Sequence, residues 1–308
     1  MKVLVQNYAT SSITEPLYIS EAINSIRGCE ATVWSDQNVS SYDMFDITKP
    51  DIFITHYRLL TEDTIKYLTN HKNVRFLLNI TSAQQDHVDI ASRIVADNKI
   101  DCPFFFTNQP ALLNKLVEKT TKIMSVMHGA DVFLSKQKTE VPDYELDLGL
   151  LSNYSIGNRF DDFLENFNTY HLITQNEELS KEVDVSLSEF RMHAVYNKYK
   201  TLVITQDSMS LPQSFFDAVL YGNKVLLHSK YESQTDKMNS AIQSLLKVND
   251  SLSIATDKII DSKIDTDRIK SQVLSGHTCL HRVRRLFSKL KCSELDTALS
   301  QMIKRFHT

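Results

Sequence analysis

The chain alternates short apolar runs with amphipathic stretches from its first residue onward. MKVLVQN opens on a β-branched run, and a polar loop then leads into helical spacing from Pro16 to about Arg27, a β-α opening. ATVW, DIFIT, VRFLLNI and PFFFT repeat the strand signal, while TEDTIKYLTNH and QQDHVDIASRIVADN gather their apolar residues on one helical face. Strands that read as continuous apolar runs belong to parallel sheets covered on both faces. ALLNKLVEKTTKIMSVM, residues 111 to 127, has helical spacing, and His128-Gly129-Ala130 precedes the apolar VFL.

The polar, aperiodic segment KQKTEVPDYE predicts a domain boundary near residues 137 to 145. A second alternating series follows. It runs LDLGLLSN, a helix over about 158–168, YHLITQ, a helix over about 187–196, TLVITQ, a helix from Pro212 to Tyr221, and KVLLHS. The expected fold is therefore α/β, with two Rossmann-like doubly wound domains over residues 1–140 and 141–290. Ligands of such sheets sit beyond the carboxyl ends of the strands, so two facing domains would hold a donor and an acceptor across a cleft. Leu295, Leu299, Met302 and Ile303 share one face of the last segment, 291–308, which predicts an amphipathic helix with something to cover.

Composition narrows the class. A length of 308 residues suffices for two cores, and only six glycines and six prolines argue against disorder and repeats. No run approaches the roughly 18 apolar residues of a membrane span. The start is too quickly polar for a signal peptide, which predicts a cytoplasmic protein. Cys29, Cys102, Cys279 and Cys292 lack ligand spacing, so free thiols and no metal are expected. The net charge of −4 gives no general attraction to nucleic acid, yet from Arg268 onward nine lysines and arginines oppose Glu294 and Asp296 alone.

Neither GxGxxG nor GxxxxGK[ST] occurs, which argues against dinucleotide and P-loop chemistry. The most informative stretch is TLVITQDSMSLPQSFFDAVLYGNKVLL, residues 201 to 227: strand, polar loop, helix opened by Pro212, stop at Gly222, strand. Free amides at the helix start opened by Pro212, those of Gln213 and Ser214, would favour a diphosphate, with Ser208 and Leu211 in the approach loop. Asp217 falls one turn further in, where a carboxylate accepts from ribose hydroxyls.

From AVYNKYKTLVIT to SLPQSFFDAVLYGNKVLL the chain resembles the donor half of GT-B glycosyltransferases, in particular the spore-maturation (CgeB-type) glycosyltransferase-like family. Leu211, Pro212, Phe216, Ala218 and Gly222 match, and Asp217 stands where that family usually has glutamate. LDLGLLSNYSIGNRF resembles the family's opening of the second domain through Ser152, Asn153 and Arg159. SGHTCLHRVRRLF resembles its late helix through His277, Thr278 and Arg282. The resemblance covers roughly residues 146 to 290. It implies a nucleotide-sugar co-substrate such as a UDP-sugar, no metal or other cofactor, donor contacts from Arg159, His277 and Arg282, and a last helix that crosses back onto the first domain. Met209 stands eight residues before Asp217, so the paired glutamates of many retaining enzymes are absent, and Gln213 replaces a frequent arginine.

Acceptor activation points to His56 and His128, each bordering an apolar strand, with Asp131 as orienting group or substitute. Asn7, Tyr8 and Ser11 in the first β-α loop are placed to touch acceptor or sugar hydroxyls. Asp265-Thr266-Asp267 lies at a helix start and reads as an N-cap rather than a metal motif. Glycosyl transfer to an unidentified acceptor is the leading expectation. Glycosylation of modified bases in DNA, suggested by the basic tail, and a GT-B-shaped binding protein without turnover are the alternatives. Oligomeric state is not legible.

Overall fold

The structure is a computed structural model and describes residues 1–7, 15–35, 39–80, 85–100, 104–107, 123–126, 129–135, 146–151, 170–174, 185–186, 196–204, 211–228, 247–248, 265–290 and 292–307. The chain divides into two compact units. One comprises Met1–Met127 with Cys279–Arg305, the other His128–Thr278 with Phe306–Thr308.

The first unit is a six-stranded, all-parallel sheet: β1 (Lys2–Gln6), β2 (Glu30–Trp34), β3 (Ile52–His56), β4 (Arg75–Asn79), β5 (Phe104–Thr107) and β6 (Ile123–Ser125), in the order β2-β1-β3-β4-β5-β6. Helices α1 (Glu15–Asn24), α2 (Ser41–Thr48), α3 (Glu62–Asn70) and α4 (Gln85–Asp97) connect the strands. Local chemistry sets the helix starts: Ser40 accepts from the Asp43 amide to cap α2, and Thr61 accepts from Thr64 to cap α3. Leu4, Phe53, Phe76 and Leu78 on one face of the sheet pack with Phe45, Tyr67 and Leu68 into a continuous core. Phe45 stacks on Tyr67 at 4.0 Å and meets Phe53 edge-on at 4.9 Å. Each such ring contributes about 1.5–3 kcal/mol by leaving water.

The second unit repeats the theme with β7 (Leu146–Leu151), β8 (Tyr170–Thr174), β9 (Val185–Ser186), β10 (Tyr199–Ile204), β11 (Lys224–His228) and β12 (Lys247–Val248). Their order, β12-β11-β10-β7-β8-β9, is the dinucleotide-fold order read from the opposite edge, with its reversal between β7 and β10. Helices α5 (Val132–Ser135), α6 (Gln213–Leu220) and α7 (Thr266–Gly276) belong to this unit. Asp265 caps α7 by accepting from the Arg268 amide at 2.9 Å.

The chain then returns to the first unit through α8 (Cys279–Lys289), which packs on α1, and α9 (Ser293–His307), whose Leu295, Leu299 and Ile303 are buried. The return comes at Cys279, earlier than residue 291, because Leu280, Val283, Leu286 and Phe287 are all buried along α8. The first crossing falls at Met127/His128, ahead of residues 137–145, because Gly129, Ala130 and Asp131 bond to α6 and the end of α7. Within the stretch of helical spacing over 111 to 127, of which 111–122 lie outside the described residues, Ile123–Ser125 is a strand paired with β5, Phe105 opposite Ile123, and sheet pairing overrides the local period there. No described helix is long and apolar enough to cross a membrane.

Candidate functional site

In the second unit β7 and β10 run side by side in register, with Leu151 opposite Ile204 at their carboxyl ends. This pair is the switch point of the strand order, and in open α/β sheets ligands bind in the crevice beyond the carboxyl ends of such a pair. After β10 the described chain resumes at Leu211 and Pro212, both buried, and enters α6. Pro212 is the N-cap, extended at φ −70° and ψ 159°, and no side chain caps the helix. The Phe215 amide donates to the Pro212 carbonyl at 3.2 Å.

The helix exit is a complete Schellman arrangement. Gly222 at φ +82° donates to Val219 and Asn223 donates to Ala218, each at 3.0 Å. Asn223, itself buried, then ties the turn to the start of β10 through Nδ2 bonds of 2.8 and 2.6 Å to the Tyr196 and Tyr199 carbonyls. Proline before the helix and glycine after it thus fix both ends of α6 against the sheet.

The polar face of α6 holds a second segment. Asp217 accepts from the Asp131 amide at 2.8 Å and from Gln213 Nε2 at 3.0 and 3.2 Å, and the same Gln213 nitrogen donates to the Gly129 carbonyl at 2.6 Å. The Ala130 amide donates to the His277 carbonyl at 2.8 Å, and Asp131 Oδ1 accepts from Phe133 at the start of α5. Gly129 is required for this approach: a Cβ there would stand 2.8 Å from the carbonyl carbon and oxygen of Thr278. The His277 ring stacks on Phe216 at 6.0 Å. Burial, together with Asp217 and Asp131, pushes the Tyr221 phenol up to about 12, so it is neutral at physiological pH. Gln213 Oε1 is buried without a protein partner, an acceptor available to a donor from outside the chain.

The residues singled out from sequence fall into three groups. Leu211, Pro212, Gln213, Ser214, Asp217 and His277 come together around the start of α6, joined by Asp131. Arg282 belongs instead to the first unit, 7% exposed on α8. Its own burial pulls the guanidinium down to about 10, opposed by Tyr18, so it stays charged at neutral pH. Tyr8, Ser11, His128, Ser152, Asn153, Arg159 and Ser208 lie outside the described residues.

In the first unit His56 ends β3, and Asn7 continues past β1 with its amide on the Trp34 carbonyl at 2.8 Å. His56 Nδ1 accepts from the Arg58 amide at 3.2 Å, which directs the neutral ring's proton to Nε2. Gln6 and Thr55, which sequence reasoning passed over, are bonded at 2.6 Å across the β1/β3 switch, and Gln6 Nε2 is buried without a protein partner. Two polar residues ending apolar strands were their only sequence signal. Among the described residues no group of three or more His, Cys, Asp or Glu side chains is arranged to hold a metal ion.

No family model matches the sequence, and no curated protein matches it either. Solved structures do. An Anabaena protein, HepE, in complex with UDP superimposes with a TM-score of 0.58 at 10% identity, covering 94% of this chain and 100% of that one. The UDP-GlcNAc 2-epimerase of Neisseria meningitidis bound to UDP-GlcNAc gives 0.55 at 10%, with the same 94% and 100% coverage. The DNA-modifying β-glucosyltransferase, solved with and without uridine diphosphoglucose, gives 0.54 at 11% and covers both chains completely. At these identities the likeness is one of fold, and the fold is of the GT-B type, built from two Rossmann-like parallel α/β units.

Proposed function

We propose that this chain is a nucleotide-sugar enzyme, a glycosyltransferase whose donor, such as a UDP-sugar, sits at the β7/β10 switch of the second unit. The carrying observation is the helix start that opens there without a side-chain cap. Amides at Gln213 and Ser214 are aligned with the positive end of the helix dipole and would receive the diphosphate, assisted by Arg159. Such fixed dipoles stabilise a departing diphosphate without reorganising. Ribose hydroxyls would reach the Asp217 carboxylate, and the buried Gln213 Oε1 would accept from a further ligand hydroxyl. The narrower likeness to the CgeB-type family rests on the motif residues alone.

On the first unit the β1/β3 switch would receive the acceptor. Gln6 Nε2 is a donor facing no protein partner, and His56, with Nδ1 engaged, is set to donate from Nε2 rather than to act as base. Removal of the acceptor proton falls to His128, three residues before Asp131 in the chain. Incubation with UDP-, GDP- and dTDP-sugars, with free nucleoside diphosphate and the recovered sugar both measured, tests the reading. Diphosphate release supports transfer. An altered sugar on an intact nucleotide would replace transfer with epimerisation, and neither product from any donor would leave a binding protein.

DNA as the acceptor is a second reading, favoured by one feature. Arg284, Arg285, Lys289, Lys304 and Arg305 are exposed along α8 and α9, and Arg284 pairs with Asp296 at 2.8 Å. DNA binding through several of these would weaken steeply with salt, by about one logarithmic unit per tenfold salt for each phosphate neutralised. Binding indifferent to salt would remove this reading.

A further inference from the structure

A cavity of about 900 Å³ opens at the opposite, amino-terminal edge of the first unit's sheet, within the size range of small-molecule sites. The turn after α1, the first residues of β3 and β4, and one side of α9 enclose it. Three guanidinium groups line it, Arg27, Arg75 and Arg305, against one carboxylate, Asp51. That carboxylate already accepts from the Lys2 amide at 2.8 Å. The floor is fixed by sheet-edge bonds, Asp51 N to Lys2 O and Arg75 N to Asp51 O, each 2.9 Å.

Arg75 is the best placed of the three. Its Nη1 donates to the Leu290 carbonyl at 3.1 Å and to Cys292 Sγ at 3.0 Å, two neutral partners that orient the fork without neutralising it. A guanidinium has five N–H groups, so Nε and Nη2 remain for a ligand. Arg27 is exposed on the facing turn and forms no hydrogen bond or ion pair among the described residues. Positioned, un-neutralised guanidinium groups over a preformed floor are suited to tetrahedral oxyanions, which they bind in bidentate fashion.

We propose that this cavity binds a small phosphate-bearing anion, its phosphate or diphosphate group held between Arg75 and Arg27. The site lies at the strand edge opposite the proposed acceptor position on the same sheet and does not depend on the proposed function. Its geometry serves either a nucleotide or free pyrophosphate.

Calorimetric titration of the full chain with pyrophosphate, and separately with UDP, tests it. Pyrophosphate should bind the wild type, more weakly as salt rises, and Arg27→Glu should weaken it by about tenfold through reversal of one charge-assisted contact. Arg75→Lys, which keeps charge but loses the fork, should weaken it less than Arg27→Glu. UDP binding at the donor site should survive Arg27→Glu. One fewer UDP on that variant than on the wild type would make a nucleotide the occupant, and an equal count with weakened pyrophosphate would make it the inorganic anion. Absence of pyrophosphate binding to the wild type, or equal affinity in Arg27→Glu, overturns the proposal whatever UDP does.

Discussion

Gly129→Ala probes the contact on which the second unit's polar cluster depends. The new methyl would stand 2.8 Å from the Thr278 carbonyl carbon and oxygen and 3.0 Å from the His277 oxygen, where ordinary contact begins near 3.4 Å. The obstructing atoms are backbone, so no side-chain rotation relieves the overlap. Overpacking of this kind costs about 1–3 kcal/mol. If the segment retreats, the buried Ala130 amide loses the His277 carbonyl, and an unsatisfied buried donor costs about 1–3 kcal/mol more. A loss near 3 kcal/mol should lower the melting temperature of a unit of roughly 150 residues by about 6–12 °C, read by calorimetry. Gly276→Ala is the control: nothing stands within 4 Å of its would-be Cβ at the end of α7, so that variant should be neutral or up to about 1 kcal/mol more stable. Equal melting temperatures for Gly129→Ala and the wild type would show that the 129–131 segment does not approach α7 as described, and the cluster around Asp217 would fall with it.

Two further outcomes follow from the same helix. Gly222→Ala meets no steric obstacle but forces a side chain into φ +82°, so it should cost about 1–2 kcal/mol in urea denaturation, and Gly222→Asn should cost less because asparagine tolerates that region. Tyr221 ionises near 10 in the unfolded chain but only near 12 in the fold, so the folded state holds the proton more tightly. Stability should be level below pH 10 and fall as pH rises from 10 to 12, a slope that Tyr221→Phe should reduce in denaturant midpoints taken across that range.

What the sequence made legible was whatever local chemistry decides. TLVIT, Pro212 and Gly222 bracket one helix because proline suits its start and a left-handed glycine its exit, and both hold within a residue. Asp265 reads as a cap for the same reason. The division of the chain was less visible, since it depends on partners far away. Asp131 joins the second unit through Asp217, 86 residues later, and no spacing announces that bond. Ile123–Ser125 becomes a strand because β5 offers it an edge, against a helical period in its own neighbourhood. Arg282 sits in a motif that resembles a donor contact, yet the buried face of α8 carries it to the first unit. Gln6 and Thr55 escaped notice because their meaning lies in being neighbours across two strands.

The central claim is that the uncapped start of α6 receives a nucleotide diphosphate. Amide chemical shifts of isotopically labelled protein, followed as UDP is added, address it directly. The account predicts saturable changes centred on Gln213 and Ser214, with Asp131 following through its bond to Asp217. UDP that fails to bind, or that binds while those amides stay unmoved, would contradict it.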